Sequence, residues 1–128
     1  MATTGFNGND GLNAGTKFQN ADGTTVKAIS AGANFAHTTK NILATSTDTV
    51  ARVVDVYLRT GSVNYLAGSV SVPAGAGTGG AAAVDLLASL TLGTGGVVVL
   101  HGSDSWQAGM EVAVTTGKEV DILVLEVL

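Results

Sequence analysis

Cysteine is absent from this chain and proline occurs once. Without cysteine there is no disulfide framework, no thiolate metal site and no cysteine nucleophile, although a secreted fold can also lack disulfides and the compartment stays open. Aromatic residues make up only 5% of the 128 residues and charged residues 12%. Six basic residues against ten acidic ones give a net charge of −4 with no Lys/Arg cluster, so the electrostatic footprint of a nucleic-acid-binding surface is missing. No apolar run approaches the roughly 20 residues of a spanning helix. Residues 1–20 have neither the basic start nor the hydrophobic stretch of a signal peptide. The chain therefore reads as untargeted, with no membrane and no nucleic acid among its partners.

The patterns that carry chemistry are also missing. His37 and His101 are the only histidines, and neither His-x-His nor His-Glu-x-x-His spacing occurs. Asn7, Asn9 and Asp10 sit in NGNDG, which lacks the twelve-residue pattern and closing glutamate of a calcium loop. The glycine run of residues 74–80 is not followed by the Lys-Ser/Thr pair of a phosphate-binding loop. Asp48, Asp55, Asp85, Asp104 and Asp121 are scattered over turns and strands. The expectation is a protein that is not an enzyme, with no catalytic residues, cofactor or metal, and with both histidines at strand ends or on the surface.

What is abundant is glycine, 18 residues, together with Thr, Ser, Ala and Val, as in short strands joined by tight turns. A mean hydropathy of +0.37 is high for a lone domain, whose surface normally carries about a quarter or more charged residues. Part of the surface is therefore expected to be covered by partners.

Strand signals begin at residue 24, where Val26, Ala28 and Ser30 alternate with Thr25, Lys27 and Ile29. Residues 37–46 give a second strand, and residues 50–60 alternate Val54, Val56 and Leu58 against Val53, Asp55, Tyr57 and Arg59. These two are expected to pair as a hairpin across the polar turn at 46–49. A turn at Gly61, Ser62 and Asn64 leads to a strand over 65–72, closed by Pro73. Residues 82–89 have helical character, with Val84, Leu87 and Leu90 at helical spacing. Later strands follow, ending in an expected hairpin of residues 106–115 with the terminal strand, in which Met110, Val112 and Val114 share a face. About eight short strands with one short helix or helical turn near 82–89 indicate an all-β fold, an antiparallel β-sandwich or jelly roll, over residues 24–128. Residues 1–23 read as an extended N-terminal arm whose Phe6 and Phe18 either float free or dock on a neighbouring subunit.

The final segment, KEVDILVLEVL, is apolar on both faces, which requires cover on both sides. Val120, Ile122 and Val124 are assigned to the core, and Leu123, Leu125 and Val127 to a subunit contact. Trp106, beside a loop, is open to three readings: core packing, a subunit or partner contact, or a sugar-stacking platform.

With the strands placed, the segment NILATSTDTVARVVDVYLRTGSVNYLAGSVSVPAGAGTGGAAAVDLL and, after a spacer, VVVLHGSDSWQAGMEVAVTTGKEVDILV resemble small tailed-bacteriophage virion proteins of the decoration or accessory type. The resemblance covers about residues 41–124 and rests on strand order and turns. It implies a capsid decoration or cement protein on the phage head surface, made in the host cytoplasm, working as a homotrimer and bridging subunits of the major capsid protein. The contact candidates are then Phe6, Phe18, Trp106, Leu123, Leu125 and Val127. The rival expectation is a head-fibre or tail recognition module that binds host-surface glycan through Trp106.

Overall fold

The computed structural model describes residues 13–30, 35–92 and 97–127. Within them lie nine strands: β1 (Ala14–Gln19), β2 (Lys27–Ala28), β3 (His37–Ser46), β4 (Arg52–Thr60), β5 (Val63–Val72), β6 (Val84–Asp85), β7 (Val98–Leu100), β8 (Ser105–Met110) and β9 (Glu119–Val127). One short helix, α1 (Leu86–Leu90), follows β6. The strands form two antiparallel sheets, one ordered β1-β9-β3-β6 with β7 also on β3, the other β2-β8-β4-β5. The all-β sandwich expected from the alternating pattern is what forms.

Alternation also gives the core. Val54 and Val56 of β4, Ile42 and Ala44 of β3, and Val120, Ile122 and Val124 of β9 are all buried, each on the inward side of its strand. The terminal strand is central, paired on one side with β1 and on the other with β3. Its two-sided apolar character therefore has a cause on the inner face, as expected.

Neither expected hairpin forms. β3 and β4 lie in different sheets, and so do β8 and β9. The period of a strand states which side chains are buried but not which sheet the strand joins. The hairpin that does form is β4–β5, closed by Gly61 and Ser62 with φ of 58° and 63°. Two central residues with positive φ make the two-residue turn whose twist suits antiparallel strands. The penultimate strand stops at Met110, so Val112 is exposed while Val114 re-enters the core.

The N-terminal boundary also moves. Residues 14–19 are an edge strand of the sandwich, and Phe18 is fully buried in its core with the Lys27 ammonium 4.5 Å from its ring centre. The expected arm of residues 1–23 is thus part of the domain from residue 13 onward, while residues 1–12 lie outside the described residues. The isolated Phe18, flanked by polar residues, carried no period long enough to reveal a six-residue strand.

The helix is shorter and later than its spacing suggests, because Val84 and Asp85 pair with β3 before the chain turns. Asp85 explains the switch: its carboxylate accepts from the N–H groups of Leu87 and Ala88 as an N-cap, and also from Ile42 N–H and Asn41 Nδ2 of β3. The glycine-rich segment after Pro73 is tightly folded against β3. Ser46 N–H donates to Ala76 O, and a Cβ on Gly77, at φ +72°, would lie 2.6 Å from Thr45 Cγ2.

A chain that crosses between sheets at nearly every connection must satisfy the polar groups of its corners. Asp48, at the β3–β4 corner and 1% exposed, does this for one end. Burial pushes its carboxyl up, but the opposing donors outweigh burial and hold it well below the usual carboxylate range. They are Thr115 N–H, Arg52 Nε, the Thr115 hydroxyl and Val50 N–H, at 2.9, 2.8, 2.8 and 3.1 Å. The corner is thereby tied to the segment between β8 and β9. Asp48→Ala should lower unfolding free energy by about 3–5 kcal/mol, the usual cost of orphaning a buried ion-pair partner. Since the folded carboxyl is more acidic than the unfolded one, this contribution is complete above about pH 5 and disappears as pH falls well below 4. Denaturant titrations of both proteins across that range check it: a gap that does not narrow on acidification contradicts the assignment.

Candidate subunit interface

The outward residues of β1, β9 and β3 form one continuous surface. Leu123 of β9 stands between Gly15 of β1 and Leu43 of β3, and Asp121 stands between Lys17 and Thr45. Because Gly15 has no side chain, the row Gly15–Leu123–Leu43 is hollowed into a concavity of about 540 Å³, with Ala83 on its far wall. Leu123 is 43% exposed there. Leu125 and Val127, two and four residues on, are half-buried on the same outward side. One border is ionic: Lys17 Nζ lies 2.9 Å from Glu119 and 3.3 Å from Asp121. Its hydrogen bonds to these two carboxylates raise the Lys17 ammonium pKa, and Lys17 in turn lowers that of Glu119. Exposed pairs of this kind contribute little stability, so they orient the border more than they hold the fold.

The outward face of the other sheet is different in kind. Asp55 of β4 accepts a 2.5 Å hydrogen bond from the Ser69 hydroxyl. The neighbouring Asp55 carboxyl pushes the Glu111 carboxyl up. The apolar concavity, rather than the polar cluster of Asp55, Ser69 and Glu111, is suited to burial against another protein.

Three of the expected contact residues, Leu123, Leu125 and Val127, are thus together on the outward face. Phe18 and Trp106 are not with them: both are fully buried inside the chain, so neither offers a surface to a neighbour. Phe6 lies outside the described residues. Leu43 and Gly15, which complete the surface, were missed because they come from strands distant in sequence, and nothing in either segment marks it as a neighbour of β9.

Trp106 is held by a polar network that the sequence reading also missed. Its Nε1–H donates to the Thr39 hydroxyl at 2.8 Å, and that hydroxyl donates to Glu126 Oε2 at 2.7 Å. His37 Nδ1 is 3.0 Å from Phe35 O, which can only accept, so this nitrogen carries a hydrogen. The opposite nitrogen, Nε2, faces Glu126 Oε2 at 3.3 Å, with both side chains fully enclosed. Among the described residues, neither His37 Nε2 nor Glu126 Oε1 has a hydrogen-bond partner. His37 therefore begins a strand as expected but is buried, whereas His101 is exposed. The available signal was parity: Glu126 falls on the same side of β9 as Val120, Ile122 and Val124. With its indole enclosed and bonded, Trp106 presents no ring face for sugar stacking. Among the described residues, no group of three or more His, Asp or Glu side chains is placed to hold a metal ion.

Thr39 is the hinge of this network, being both acceptor and donor. Thr39→Val keeps the shape but orphans the indole N–H and one carboxylate oxygen, each costing about 1–3 kcal/mol when buried. Denaturant unfolding followed by Trp106 fluorescence should show a loss of about 2–4 kcal/mol, largely restored in Thr39→Ser. A loss no larger than that of an exposed substitution such as His101→Ala would contradict it.

No protein-family model matches the sequence, and no curated protein sequence matches it. Among solved structures, the chain is similar to the Drosophila NLP core, a crystal structure described as providing insight into pentamer formation and histone binding. The similarity has a TM-score of 0.49 and 12% sequence identity, over 91% of this chain and 99% of that one.

Proposed function

We propose that the chain is a non-enzymatic structural protein of a phage particle, a decoration or cement protein that assembles as a homotrimer and bridges subunits of the major capsid protein on the head surface. The phage assignment rests on the sequence resemblance. The observation that carries the structural role is the apolar row Gly15–Leu123–Leu43, continued by Leu125 and Val127, which no described residue covers on the outer face of its sheet. A cement protein works mechanically, opposing internal pressure by holding neighbours together. Burial of apolar surface at about 25 cal/mol per Å² over an interface of roughly 800 Å² per partner suits that work. Low overall charge and high hydropathy support the same reading, since a surface that is covered in the assembly has less need of charge.

Light scattering of the purified protein should give a trimer. Leu123→Asp and Leu125→Asp should each weaken association at least about tenfold, as expected for a contact at the centre of an interface, while circular dichroism shows the β-sandwich intact. The same variants should fail to attach to expanded capsids that lack the protein. A wild-type chain that is monomeric at micromolar concentration and does not attach to such capsids contradicts the proposal. If the variants unfold instead of dissociating, the outer face serves the chain's own stability.

A further inference from the structure

A second apolar surface lies on the opposite edge of the sandwich. Here the edge strands of the two sheets, β5 and β7, flank a cleft of about 410 Å³ floored by Leu58 and Leu92 and backed by the fully buried Trp106. Its walls are Tyr65 and Leu66 on one side and Val99 on the other, exposed to 57%, 60% and 53%. Farther along β5 the gap is closed by α1, whose Leu90 packs against Gly68 so closely that a Cβ there would lie 2.5 Å from it. At the Tyr65 end nothing among the described residues plays that part. β5 contains no charged residue over its ten positions and pairs only with β4, so the edge lacks the charges that usually keep such strands in water.

We propose that this cleft is the docking site of the chain's own N-terminal segment, residues 1–12, with Phe6 as the side chain that fills it. Asn13 fixes where the segment starts, because its Oδ1 accepts the N–H of Glu126 at 3.0 Å. Glu126 is linked through Thr39 to Trp106, the buried side chain behind the cleft. The start of β1 is at the same end of its sheet as β7, since Ala14 faces Val124, Val127 faces Thr38, and Thr38 faces Val99. From β1 to β7 there are three strand spacings, about 14 Å. Phe6 is seven residues before Asn13, a span of up to about 23 Å when extended. The ring therefore reaches the cleft of its own chain with slack for the turn around the sheet end. Phe6 is also the one aromatic residue in the segment MATTGFNGNDGL, and an aromatic ring suits the apolar lining of the cleft.

Hydrogen exchange of the full chain and of Phe6→Ala tests this. The described core is complete without any residue of the segment 1–12, so the variant should remain folded with exchange unchanged in β3, β4 and β9. Amides of residues 63–67 and 97–100 should exchange roughly tenfold faster in the variant, as expected on losing one buried aromatic ring, and equally so at every protein concentration. Unchanged exchange in those two segments overturns the proposal. So does a difference that appears only at concentrations where chains associate, which would make the occupant a neighbouring copy. Neither result bears on the Leu123 face, whose variants report assembly and not exchange in the cleft.

Discussion

Everything else in this fold is positioned by β9. It is paired on both edges, its inner residues Val120, Ile122 and Val124 are buried between the sheets, and its outer residues are left to face whatever covers the molecule. A strand with two long neighbours cannot shift register without breaking both ladders and turning its buried set outward. The inner face therefore fixes the outer one: Leu123 lies between Gly15 and Leu43 because Ile122 and Val124 must lie inside.

The polar interior follows from the same constraint. Continuing the inward parity of β9 by one more step places Glu126 in the core, where an unpaired carboxylate would be costly. Thr39, His37 and Trp106 supply the surroundings of that carboxylate, and in doing so link β3, β8 and β9 across the two sheets. Asp48 has the corresponding role at the other end of β3, joining the β3–β4 corner to Thr115 ahead of β9. The sandwich is thus held at both ends by buried carboxylates and along its middle by aliphatic packing. The Asp48 linkage occurs where the chain passes from one sheet to the other, a place where backbone groups would otherwise lose their partners.

The Leu123 surface and the cleft at Tyr65 are both apolar, and they differ in origin. The Leu123 surface is a regular sheet face, apolar through Leu123, Leu125 and Val127 of β9 and Leu43 of β3. The cleft at Tyr65 and Leu66 lies at the sandwich edge, beyond the end of α1, where no described residue closes it. A sheet face suits a broad partner and a cleft a single inserted side chain, which is why different occupants are assigned to them.

The residue sequence by itself determined the fold class, the inward sets of β3, β4 and β9, and the apolar outer face of the last strand, because each depends only on period-two alternation along one segment. Tertiary structure decided which strands are neighbours. Residues 46–49 are a turn in either case, but whether that turn returns β4 beside β3 or sends it to the opposite sheet depends on Asp48 reaching Thr115, 67 residues away. Phe18 is buried because β1 finds β9 across more than a hundred residues, and no local pattern in a six-residue strand records that pairing. Glu126 had the parity of a core position all along; that a charge could be accommodated there depended on Thr39 and His37, which only the folded chain brings to it.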